Sequence, residues 1–240
     1  MRRPAAFLTI ALALATIALM IAGGATSLGA SIVSAEVQKI PSSAVACYYV
    51  GRIYIDANGN IQVAGYFSDI NGIGASNSLF NGIPSESTAF FTFRSDSFTN
   101  TSLPSNGDIT LFLNPAGKYN IYYNPHPQGN WNNPDSFSAG EKFPGHPIAQ
   151  FMRPELLVLQ FESTVQDAVT ATLVASQDFI FGGHEYNFDQ LTPGGVTLYE
   201  YGSLTPLPPV PGFPLVLPYA GYCVAVARGD RNQPTDPAGR

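Results

Sequence analysis

The sequence predicts an all-β protein, a single antiparallel barrel or sandwich of roughly ten to twelve short strands behind an export signal. Three observations predict it. Short runs of β-branched and aromatic residues recur at close spacing, Gly, Pro and Asn punctuate them, and no segment carries a helical period. Charged residues are also only 12% of the 240, so Asn, Ser, Thr and Gly must supply most of the surface polarity.

The N-terminus explains the first layer of organisation. Arg2 and Arg3 precede an apolar run from Ala5 to Ala22, then come the small residues Ser27, Gly29, Ala30, Ser34 and Ala35. That order is a secretory signal over residues 1–35, with cleavage after Ala30 or, leaving Glu36 as a polar first residue, after Ala35. If it were retained, the apolar run would be long enough to anchor the chain in a membrane. Residues 36–228 then form the β domain, with a Pro-rich strap at 204–218, and the polar, Pro-containing residues 229–240 read as a disordered tail.

Within the domain each strand has a local reason. Ala46–Ile55 and Ile61–Phe67 flank Asp56-Ala57-Asn58-Gly59-Asn60, where the Asn-Gly step supplies the positive φ of a tight hairpin. The same five residues resemble the start of a calcium loop, but Phe67 stands where the closing acid belongs. Residues 68–87 read as a long ordered loop anchored by Ile70, Ile73, Leu79, Phe80 and Ile83. Thr88–Arg94, Ile109–Leu113 and Tyr119–Tyr123 follow as strands, the last two joined by a turn at Asn114-Pro115-Ala116-Gly117.

The second half reads as strands at Leu156–Glu162, Val169–Ala175, Asp178–Phe181, Glu185–Phe188 and Val196–Tyr201, with Gly182-Gly183-His184 as a hairpin turn. The prolines between Leu204 and Pro214 cannot feed a ladder, so the strap should run extended along the surface. Tyr219–Ala227 returns to strand composition and closes the domain.

Charge excludes one class of function. Without Arg2 and Arg3 the basic residues fall from 11 to 9 against 17 acids, leaving no cluster to neutralise phosphates, so nucleic acid is not a partner. Export puts Cys47 and Cys223 in an oxidising compartment, and their positions in the first and last strands point to a disulfide that ties the two ends of the domain.

Catalytic and metal motifs are weak. His126, His146 and His184 lack ligand spacing, two of them sit beside Pro, and no metal or other cofactor is implied. No nucleophile elbow occurs. Asp135, Glu141, Glu155, Glu162 and Glu185 could form the two-acid pair of a glycoside hydrolase, because such pairs come from separate strands and leave no spacing signature. Solvated acids at strand ends are the plainer reading.

The stretch from Lys118 to Arg153 holds the only Trp and concentrates rings and amides. Trp131, Tyr122, Tyr123 and Asn132 together have the chemistry of a carbohydrate platform, flat rings for sugar faces and amides for hydroxyls. In a strand Tyr122 and Tyr123 face opposite ways, which leaves one ring for a ligand. The sequence therefore describes a secreted or cell-surface, non-catalytic β protein, structural or ligand-binding, with a glycan or cell-surface component as its candidate partner. A carbohydrate-active hydrolase is the alternative.

Overall fold

A computed structural model describes residues 38–74, 78–99, 101–103, 109–140 and 146–228. The signal, the tail and Glu141 fall outside them. Among the described residues are fourteen strands: β1 (Val45–Ile55), β2 (Asn60–Ile70), β3 (Phe91–Ser95), β4 (Phe98–Thr99), β5 (Thr101–Ser102), β6 (Ile109–Asn114), β7 (Gly117–Tyr123), β8 (Ala149–Arg153), β9 (Leu156–Phe161), β10 (Thr164–Ser176), β11 (Phe179–Phe181), β12 (His184–Tyr186), β13 (Val196–Ser203) and β14 (Leu215–Ala225). Eight of these close an antiparallel barrel in the order β13, β14, β1, β2, β3, β7, β8, β10 and back to β13. Closure leaves the wall without a free edge.

The alternation of side chains decides which residues fill the barrel. In β13, Val196, Leu198 and Glu200 are buried while Thr197, Tyr199 and Tyr201 point outward, and in β10 Val169 and Ala171 are buried between exposed neighbours. The inner space is crowded with rings, including Tyr49, Phe67, Phe93, Tyr119, Tyr123, Phe151 and Tyr219. Room for them comes from glycine. Gly51 and Gly65 are directly paired across β1 and β2, and a Cβ on Gly65 would stand 2.8 Å from the Phe93 ring.

Local turn readings hold where a side chain enforces them. Between β1 and β2, Asp56 accepts from the backbone N–H groups of Asn58 at 2.8 Å and Asn60 at 2.9 Å, and Gly59 takes φ 81°. Phe181 pairs with His184 around Gly182 and Gly183. Cys47 and Cys223 face each other across β1 and β14 with Cα atoms 5.1 Å apart, at disulfide distance.

The Asn114–Gly117 joint connects strands that do not pair with each other: β6 pairs with β9 while β7 pairs with β3 and β8. Other readings change. Phe188–Leu191 is one turn of α-helix, capped by Asn187, whose side chain accepts from the Asp189 N–H. The strap does not run extended throughout: it doubles back at Pro211-Gly212, with Val210 and Phe213 exchanging backbone hydrogen bonds. Leu207, Val210 and Phe213 cover Tyr54, Ala64 and Val216 on the outside of the barrel. In the loop after β2, Ile73 and Leu79 are buried, whereas Ile83 is 86% exposed and anchors nothing.

Strand β10 is shared. Its first part pairs with β13 and, at Thr164–Gln166, with β9; its second part pairs with β8. Pro154-Glu155 separates β8 from β9, and Pro cannot donate a ladder hydrogen bond. From there β9 leaves to pair with β6. Residues 167–171 of β10 are thus paired with β13 alone.

Candidate functional site

The site follows from one belt of directly paired residues. Phe67 on β2, Tyr49 on β1, Gly221 on β14, Glu200 on β13 and Asp167 on β10 are successive cross-strand partners. Directly opposed side chains on one face have Cβ atoms about 4.5–5.5 Å apart. Two carboxyl groups therefore project side by side into a closed, aromatic interior.

Glu200, 5% exposed, is the hub. It accepts hydrogen bonds from the Tyr119 hydroxyl at 3.1 and 3.2 Å and from the Tyr49 hydroxyl at 3.4 Å, and Tyr219 donates a third hydroxyl. The donors come from different elements: Tyr49 from β1, Tyr219 from β14, and Tyr119 from β7 on another part of the wall. Gly221 makes the Tyr49 contact possible, since a Cβ there would lie 2.5 Å from the Tyr49 hydroxyl oxygen. Burial, and then the Glu200 charge, pushes all three tyrosines well above their ordinary pKa, so they remain neutral donors.

Asp167 behaves differently. Its Oδ1 is buried and has no hydrogen-bond donor among the described residues. Burial, followed by the charge of Glu200 and hydrogen bonding to it, raises Asp167 to about 9, and the Arg153 charge opposes this only in part. Like charges on adjoining carboxyls disfavour ionising both, and Asp167, raised to about 9, keeps its proton at neutral pH. Glu200 meanwhile accepts from three O–H groups. Arg153, 1% exposed on β8, supplies the compensating cation. Its guanidinium lies 4.8 Å from the Phe98 ring centroid and 5.9 Å from that of Tyr119, and it donates to the Asn114 side chain.

The polar cluster divides the interior. Glu200, Tyr119 and Tyr219 line two chambers. The smaller, about 50 Å³, lies toward Cys47 and Cys223 and is lined almost entirely by apolar groups. The larger, about 200 Å³, is walled by Ile53, Ile61, Val63, Val165 and Leu217, with Asp167 and Glu200 as its acids. Asn114, Val158 and Gln160 complete it from β6 and β9, where the wall splays. The arrangement has room for a small apolar molecule beside the neutral Asp167 and the hydroxyl-bonded carboxyl group of Glu200.

The residues singled out from sequence lie elsewhere. Trp131 is half-buried on the outer wall, 4.9 Å from Phe137 and 5.9 Å from Tyr66 between ring centroids, with the Arg52 guanidinium 4.6 Å from its ring. Tyr123 fills the barrel interior, while Tyr122, on the outer face, is also buried, at 5%. Asn132 is exposed, with its N–H donating to Asn130. Asp135 pairs with Arg94 at 2.6 Å, and Glu155, Glu162 and Glu185 are exposed, so these four build no shared cleft. Among the described residues no three His, Cys, Asp or Glu side chains gather as a metal site.

Asp167 and Glu200 were missed, although a signal existed. In Val165-x-Asp167-x-Val169-x-Ala171 and Val196-x-Leu198-x-Glu200 each acid occupies a place that the period-two pattern reserves for an apolar residue. Their pairing, however, depends on register between strands far apart in the chain. Compared with family models, with curated proteins and with solved structures, the chain matches none.

Proposed function

We propose that the chain is an exported binding protein whose barrel holds one small, largely apolar molecule carrying a single polar group. The observation that supports this best is the larger chamber, about 200 Å³ with apolar walls and an unpartnered Asp167 Oδ1. An apolar cavity of about 150 Å³ is enough for a benzene-sized ligand. A polar group on such a ligand supplies the partner that Asp167 lacks, which removes the cost of an unsatisfied buried atom.

A sugar is the poorer occupant, because its many hydroxyls need partners that Ile, Val and Leu walls do not offer. The Trp131 surface has less support than the interior, since Phe137, Tyr66 and Arg52 already occupy its indole and both neighbouring tyrosines are covered. Titration with cyclohexanone and, separately, with maltohexaose tests this, following thermal stability and Trp131 emission. Cyclohexanone should raise the unfolding temperature without changing the emission. Stabilisation by maltohexaose with a shifted Trp131 spectrum, and none by cyclohexanone, would reverse the assignment.

A further inference from the structure

We propose that Asp167 and Glu200 are an acid–base couple that moves a proton on a small enolisable ketone held in the larger chamber, making the barrel an isomerase. The inference rests on the binding reading above and adds chemistry to it. The two acids are directly opposed on β10 and β13 and both line that chamber. Directly opposed residues have Cβ atoms about 4.5–5.5 Å apart, which places two carboxyl groups within reach of the oxygen and the adjacent C–H of one small ketone. Asp167 has a buried Oδ1 with no partner, and a proton carried on that oxygen is free to be donated to a ketone oxygen.

The groups facing the couple assign its roles. Tyr49 from β1, Tyr119 from β7 and Tyr219 from β14 all direct their hydroxyls at Glu200, which makes it the hydrogen-bond acceptor of the couple. Arg153 from β8 stands behind Phe98 and Tyr119, while β2 and β3 contribute the apolar Phe67 and Phe93. The proton held by Asp167 is the acid, and Glu200 is the base.

For a β,γ-unsaturated ketone the step balances within the couple and the substrate. Glu200 takes the proton from the carbon between the carbonyl and the alkene; that C–H bond breaks and its electron pair forms the new C=C bond of a dienol. The carbonyl π pair moves to oxygen, which takes the Asp167 proton. Glu200 then gives its proton to the far alkene carbon, the dienol oxygen returns its proton to Asp167, and the conjugated ketone leaves. Both acids end as they began.

The test is conversion of 3-cyclohexen-1-one to 2-cyclohexen-1-one by the whole protein at pH 6–7, read by conjugated-enone absorbance, with cyclohexanone binding measured in parallel. Positioned acid–base catalysis contributes about 10²–10⁴-fold, so the rate should exceed buffer by at least about 10²-fold. Asp167→Asn and Glu200→Gln should each return it to background, while Tyr222→Phe on the outer wall leaves it unchanged. If Glu200→Gln does not fold, Asp167→Asn, which keeps shape and an N–H donor, carries the test. The rate should also fall as pH passes about 9, where Asp167 gives up its proton. Cyclohexanone binding without turnover, or turnover that survives Asp167→Asn, overturns the couple and leaves the binding reading standing. Neither binding nor turnover overturns both.

Discussion

At the scale of single residues, Asp167 makes stability depend on pH in an unusual direction. Its ordinary value of 3.8 rises to about 9 in the folded chain. Between those values the unfolded chain has lost the proton and the folded chain has kept it, so the unfolded state binds fewer protons and stability falls as pH rises. The contribution is complete below the ordinary value and gone above about 9. Asp167→Asn should therefore be more stable than the parent at pH 8, by ~2 kcal/mol, and gain little at pH 4, as urea titrations at the two values would show. A parent whose stability does not fall between pH 4 and pH 8 relative to the variant would contradict a neutral Asp167. Gly221 offers a second residue-scale check. An added Cβ would come within 2.4 Å of the Tyr199 carbonyl and 2.5 Å of the Tyr49 hydroxyl, so Gly221→Ala should cost about 1–3 kcal/mol and withdraw one donor from Glu200. At this scale the period-two pattern of β10 and β13 showed that both acids broke an apolar face, and the register that joins them was not legible.

At the scale of elements, what could be read was whatever a few neighbouring residues enforce. The Asp56–Asn60 turn is fixed by its own side chain, and Gly182-Gly183 by backbone freedom. The Asn114–Gly117 turn told nothing of pairing, because the turn residues are the same whether or not the flanking strands pair with each other. The capped turn at Phe188–Leu191 is too short for a helical period to show. The outer-wall layer of strap and Trp131 gives a prediction of its own. Trp131→Ala should cost about 1–3 kcal/mol, below the ~3–5 kcal/mol of a fully buried aromatic because the ring is only half-buried, and should leave cyclohexanone binding intact. Cys47 and Cys223 pair directly on adjacent strands and lie 176 residues apart in sequence. Reduction should lower stability by about 2–4 kcal/mol, with two thiols freed for alkylation; two reactive thiols before reduction would refute the bridge.

At the scale of the whole molecule, barrel and sandwich share the same strand composition and differ only in long-range pairing. Closure depends on β10 meeting β13 on one side and β8 on the other, and on β14 entering between β13 and β1. None of these pairings is announced by local turn chemistry. The prolines and the splayed β9 decide where the larger chamber forms, and that too is a property of the closed wall. Among the described residues no helix is long and apolar enough to cross a membrane. In the proposed function the barrel interior, rather than the Trp131 surface, receives the ligand. A crystal of the protein soaked with bromobenzene tests it most directly through the anomalous signal of bromine. The expected result is a bromine peak inside the chamber bounded by Ile53, Val165, Leu217 and Asp167. Bromine found only beside Trp131, with that chamber empty or filled by water, would contradict it.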